Sequence, residues 1–151
     1  MNIEEKLKSL GWVLPPPPKP VGAYQPLVKS GKLAFLSGQI SKTADGKIIS
    51  GKVGKDLQLE EARTAARAAA LNALSIAQQF VGLENIARVV RLAGFIQVSP
   101  DFYDLSKITD AASDMFLELF GERGIHARST VGMASLPLNA AVEIELILEV
   151  K

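Results

Sequence analysis

The stretch LQLEEARTAARAAALNALSIAQQFV, residues 57–81, followed by ARVVRLAGFIQV, residues 87–98, decides the fold class. In the first segment Leu59, Ala62, Ala66, Ala69, Ala73, Ile76 and Phe80 recur at steps of three and four, the spacing of one face of an α-helix. Glu60 and Glu61 sit early, where they favour the helix dipole, and Gly82 supplies a stop. The apolar stripe is rich in alanine, so this helix can lie close against a sheet. The second segment carries Val89, Val90, Leu92, Phe95, Ile96 and Val98 and reads as a strand ended by Ser99-Pro100.

Working outward, Asp101–Phe120 repeats the helical pattern through Leu105, Ile108, Ala112, Met115, Phe116 and Leu119, with Gly121 closing it. Arg128–Ala134 and Val142–Val150 read as strands joined by the turn Ser135–Ala140. In the last strand the alternation is partial: Val142, Ile144, Leu146, Leu148 and Val150 face one way, and Glu143, Glu145, Ile147 and Glu149 the other. Toward the N-terminus, Tyr24–Val28 and Leu33–Gln39 form strands around the turn Lys29–Lys32. Thr43–Lys47 is a second turn, and Ile48–Asp56 reads as a surface loop. The order β-β-α-β-α-β-β most simply gives an α+β domain, one mixed sheet with two helices on one face. Its second face then needs cover, which points to self-association.

The head of the chain stands apart. Ile3, Leu7 and Leu10 share a face of a short helix that Gly11 ends. Pro15–Pro18, with Pro20 behind, imposes an extended path. The expected organisation is an N-terminal helix and connector over residues 1–20 and a single domain over residues 21–151.

Composition narrows the chemistry. The 151 residues include no cysteine and a single histidine, His126, which excludes disulfides, thiolate metal sites, a cysteine nucleophile and multi-histidine metal centres. The net charge is +1, with one tryptophan, two tyrosines and six phenylalanines, a poor footprint for nucleic acid. Lys52-Val53-Gly54-Lys55 lacks the spacing of a phosphate loop. No targeting or membrane segment is visible, so the expected location is the cytoplasm.

Few residues stand out as site candidates. Arg128 opens an otherwise uncharged strand, and its planar guanidinium matches a carboxylate bidentately. Glu143 and Glu145 project from one face of the last strand, where a carboxylate can act as a general base. His126 is a candidate proton shuttle. Tyr24 is placed to close a pocket, and Gly38 allows close approach of a ligand or another strand.

The run His126-Ala127-Arg128-Ser129-Thr130-Val131-Gly132-Met133-Ala134-Ser135-Leu136-Pro137, followed by Val142-Glu143-Ile144-Glu145, resembles the signature of the reactive intermediate deaminase family (RidA, also called YjgF and formerly L-PSP endoribonuclease). Gly22-Ala23-Tyr24 is similar to the family's Gly-Pro-Tyr, and Leu36-Ser37-Gly38-Gln39 to its Ser-Gly-Gln strand end. The head and the segment Phe95–Thr109 resemble a longer subgroup. The resemblance implies a chorismate-mutase-like α+β fold in a homotrimeric barrel with active sites between subunits. It implies cofactor-free hydrolysis of enamines and imines to 2-keto acids and ammonia, an activity like that of 2-iminobutanoate/2-iminopropanoate deaminase. Arg128 would bind the substrate carboxylate and Glu143 would position or activate water. Tyr24 would line the cleft, and the backbone at Gly38 and Thr130 would contact ligand or water. Thr130 stands where many members carry cysteine, Gly132 where several deaminases carry glutamate, and Ala23 where proline is usual. The expected partners are a small imino or keto acid and further copies of the chain, with no membrane or nucleic acid. The alternatives are a non-catalytic trimer that binds small carboxylates or a protein, and the older ribonuclease or translation-inhibitor reading.

Overall fold

The computed structural model describes residues 1–19 and 22–151, so Pro20 and the junction at residues 20–21 lie outside the described residues. Nine elements follow one another: α1 (Ile3–Ser9), β1 (Leu27–Ser30), β2 (Leu33–Leu36), β3 (Gln39–Ile40), α2 (Leu59–Phe80), β4 (Ile86–Gln97), α3 (Leu105–Phe120), β5 (Ala127–Met133) and β6 (Val142–Val150). The strands form one mixed sheet in the order β1-β2-β6-β4-β5, with β3 pairing beside β2 on β6. β4 and β5 are parallel, as a connection through α3 requires, and the other pairs are antiparallel.

The expected α+β class and element order are present, with four differences. Tyr24 lies in a bend ahead of β1 rather than in the strand, and Ser37-Gly38 breaks the expected second strand into β2 and β3. β5 and β6 are consecutive but do not pair, because β4 lies between them. Ile48–Asp56 is not a simple surface loop. Val53 is fully buried, its N–H donates to Gln97 O, and its carbonyl accepts from Ser99 N, so the segment is sewn to the end of β4.

The core follows from the two periodicities. Every second residue of β6 from Val142 to Val150 is buried, and α2 packs over that face. Seven alanines of α2, from Ala62 to Ala77, are buried, which lets the helix axis approach the strands. α3 covers β4 and β5 through Ile108, Ala112, Met115, Phe116 and Leu119, all buried. α1 joins the same core through Ile3 and Leu7, whereas Leu10 is partly exposed. Its start is fixed by a reciprocal cap: the Asn2 side chain accepts from Glu5 N and the Glu5 carboxylate accepts from Asn2 N.

Among the described residues, no helix covers the other face of the sheet. Phe35, Ile147, Arg91, Phe95 and Val131 are matched across the strands on that side, together with Glu143 and Glu145. Phe35 and Val131 are 42% and 45% exposed, so a mixed apolar and charged surface is left open.

Candidate functional site

Tyr24, Gly38 and Glu143 line one depression, and Arg128 and His126 another. Glu143 lines the larger, a cleft of about 440 Å³ shared with Tyr24, Gly38, Gln39, Asn72, Pro137 and Leu138. Glu143 is the second residue of β6, opposite Ile40 on one side and Phe95 on the other. Gly38 lies against it so closely that a Cβ built there would stand 2.5 Å from Glu143 Oε1. A side chain at residue 38 would therefore displace the Glu143 carboxylate, and the constraint on Gly38 is one of space rather than of backbone conformation. Burial raises the Glu143 carboxyl above its ordinary value, and the Glu145 charge two residues along adds to the rise. Glu145 itself is exposed on the open face.

The cleft walls are held by polar side chains that sequence inspection passed over. Asn72, buried in the middle of α2, donates from Nδ2 to Lys42 O at 2.7 Å and to Ala68 O at 3.0 Å. Gln97 is buried at the end of β4 and ties three segments together. Its Nε2 donates to Gly51 O and to Asn139 Oδ1, while its Oε1 accepts from Leu136 N. Leu138 and Asn139 both adopt left-handed backbone (φ 56° and 58°), uncommon for residues other than glycine. The Gln97 bonds flank this pair and hold Pro137-Leu138 at the cleft. Pro18 and Lys19 line the same cleft, so the proline-rich connector reaches the candidate site. Ser75 on α2 anchors it through a bond from Oγ to Pro15 O.

Arg128 lines the other, shallower depression, of about 240 Å³, with Ser113, Asp114, Leu117, Ile125 and His126. It stands on β5 but points toward α3. Its Nη1 donates to Asp110 Oδ1 at 2.8 Å and to Ser113 Oγ at 3.1 Å, whereas Nη2, among the described residues, has only a long contact, 3.5 Å, to Ser106 O. His126 extends the chain: its Nδ1 lies 2.6 Å from Gly124 O and its Nε2 2.9 Å from Ser113 Oγ. A carbonyl oxygen only accepts, so Nδ1 carries the proton and Nε2 accepts from Ser113. Burial lowers the His126 pKa below its ordinary value; the Arg128 charge lowers it further, and the Gly124 carbonyl opposes both. The ring also meets the edge of Phe116 at 5.9 Å.

The structure thus brings Tyr24, Gly38 and Glu143 together and leaves Arg128 apart. Arg128 is opposite Leu92 and Glu143 opposite Phe95, with β4 between their strands. The two positions are therefore roughly 10 Å apart along the strands and roughly 10 Å across them, on opposite faces of the sheet. Thr130 borders neither depression; its hydroxyl is 2.7 Å from Thr109 Oγ1. Gly132 is explained by packing: a Cβ there would stand 2.9 Å from Val98 Cγ2, so the segment after β4 fills the space a larger side chain would need. Asp110 and Ser113 had a sequence signal only as polar residues beside the apolar face of α3. Among the described residues, no group of three or more His, Asp or Glu side chains is arranged to hold a metal ion, and no helix is long and apolar enough to cross a membrane.

A helix-covered mixed sheet of this topology, with a glycine-backed glutamate on its last strand and an arginine opening the edge strand, defines a protein of the YjgF fold class. The family model described as "YjgF/chorismate_mutase-like, putative endoribonuclease" matches residues 4–150, and the chain belongs to this family. It is 39% identical over 150 residues to protein TCP17 of Trypanosoma cruzi, covering 98% of this chain and 94% of that one. It is 31% identical over 135 residues to the 2-iminobutanoate/2-iminopropanoate deaminase of Dermatophagoides farinae, covering 89% and 91%. The crystal structure of a "putative endoribonuclease" from Shewanella oneidensis superposes with a TM-score of 0.95 at 33% identity, covering 99% of this chain and all of that one.

Proposed function

We propose that the chain is a cofactor-free deaminase that hydrolyses 2-imino acids and their enamine tautomers to 2-keto acids and ammonia. The observation that carries this reading is the Glu143 carboxyl, desolvated, raised in pKa and packed against Gly38 in a cleft open to a small molecule. A carboxyl whose pKa is raised by burial accepts a proton more readily than an ordinary one. An iminium carbon is already electrophilic, so catalysis needs chiefly a positioned water and a held substrate. Water adds to the C=N carbon with a proton passing to Glu143. The resulting carbinolamine takes that proton on nitrogen; as the C–N bond breaks and ammonia leaves, the hydroxyl proton passes to the regenerated Glu143 carboxylate, leaving the keto acid. Tyr24 walls the cleft, and the backbone at Gly38 contacts ligand or water.

Arg128 is the substrate carboxylate anchor. Within one chain it stands too far from Glu143, so the working site combines Glu143 of one copy with Arg128 of another. The open, partly apolar sheet face supports such an assembly, and a homotrimer closes it. The relative from Dermatophagoides farinae, named for this reaction, supports the substrate class.

The test generates 2-imino acids with an amino acid oxidase in the presence of semicarbazide, which competes for the imine. The protein is expected to divert imine to keto acid, and Arg128→Ala is not. No diversion across several imines by an intact oligomer would contradict the enzymatic reading and leave a carboxylate-binding module.

A further inference from the structure

Arg128 does not wait as a bare cation. Asp110 Oδ1 already holds its Nη1 at 2.8 Å, and Ser113 Oγ accepts from the same nitrogen. Ser113 is fixed in turn, because its hydroxyl proton is committed to His126 Nε2. Nη1 is thus held by two acceptors, and Nη2 is left for a ligand, with one weak contact to Ser106 O. Asp110 Oδ2 has no hydrogen-bond partner among the described residues, and the Asp110 side chain is about half exposed (49%). The Arg128–Asp110 pair therefore presents a free cationic edge and a free anionic oxygen side by side.

Resting on the reading of Arg128 as the carboxylate anchor, we propose that Asp110 makes this a site for zwitterions, a carboxylate flanked by a cationic nitrogen. The ligand carboxylate takes Arg128 Nη2. The iminium or ammonium nitrogen on the adjacent carbon takes Asp110 Oδ2. A bare keto acid brings the carboxylate but no cation, and it meets the Asp110 charge without compensation. Hydrolysis converts one ligand into the other. The iminium acid is overall neutral and the keto acid carries a full negative charge, so Asp110 favours the substrate and expels the product. Asp110 is in this account a specificity residue that leaves the chemistry at Glu143 alone.

The experiment measures binding of 2-aminobutanoate, a stable zwitterion, and of 2-oxobutanoate, its keto counterpart, to the assembled protein by calorimetry. The wild type is expected to favour the amino acid. Asp110→Asn should shift the ratio toward the keto acid by about threefold to tenfold, the worth of one partly solvated ion pair. Asp110→Glu should retain the wild-type preference, and Arg128→Ala should lose both ligands. If Arg128→Ala loses both while Asp110→Asn leaves the ratio unchanged, the zwitterion proposal is overturned and the anchor stands. If Asp110→Asn weakens both ligands equally, Asp110 only positions Arg128 and the proposal also fails. If Arg128→Ala still binds both, or the wild type binds neither, the anchor itself is wrong and the proposal falls with it.

Discussion

The Glu143 cleft and the Arg128 depression lie on one sheet and are built by opposite means. Around Glu143 the protein removes things: Gly38 gives up its side chain, the carboxyl is half-buried, and the charge that shifts it is the like charge of Glu145. Around Arg128 it adds them: Asp110, Ser113 and His126 form a chain of partners that satisfies part of the guanidinium before any ligand arrives. A desolvated carboxyl is reactive because its charge is unfavourable. A partnered arginine is selective because its geometry and part of its charge are already assigned.

The sharpest way to break this contrast is Glu143→Gln. Hydrolysis should fall by about 10²–10⁴-fold, the usual worth of a general acid–base group. The same variant should be more stable at neutral pH. The Glu143 pKa is raised on folding, so the folded state pays for ionisation as pH climbs above the ordinary carboxylate range. Thermal denaturation at pH 7 against pH 4 reads this directly; an unstabilised Glu143→Gln would mean the carboxyl is not desolvated.

Gln97→Ala tests the frame of the cleft rather than its chemistry. Losing three hydrogen bonds, one buried and two partly buried, should cost about 2–3 kcal/mol, measured by urea unfolding. Gly38→Ala sharpens the comparison at a single atom. The obstacle it meets is the far end of a flexible side chain, so stability should change little while the Glu143 carboxylate is displaced. Activity should drop by about tenfold, the effect of a small misplacement at a reacting group.

The smallest effect lies on the other side. The His126 pKa is lowered on folding, so the unfolded chain binds the extra proton first. Stability should decline as pH falls below about 6.5, its ordinary pKa. His126→Asn should flatten that slope without restoring it elsewhere, as followed by melting temperature between pH 7 and pH 5.

Much of this frame was legible in the chain. The spacing in α2 and α3 and the alternation in β6 specify which faces are buried, because each segment is long enough for its period to show. β3 is only two residues long and carries no period to read. Nor does local sequence reveal that β4 separates β5 from β6, since strand order depends on the parallel connection through α3. Ile48–Asp56 looked like a surface loop because glycines and lysines surround Val53; its burial comes from distant backbone partners at Gln97 and Ser99. Arg128 and Glu143 could be singled out as residue types on strands, but not their separation. Asp110, Ser113 and Gln97 act through partners 13 or more residues away, which no local pattern encodes.

The central claim is that Arg128 of one copy and Glu143 of another make one site. The most direct measurement mixes two inactive variants, Arg128→Ala and Glu143→Gln, by co-expression and purifies oligomers that contain both. A shared site predicts recovered imine hydrolysis, because some interfaces then pair an intact Arg128 with an intact Glu143. Mixed oligomers as inactive as either variant alone would contradict it.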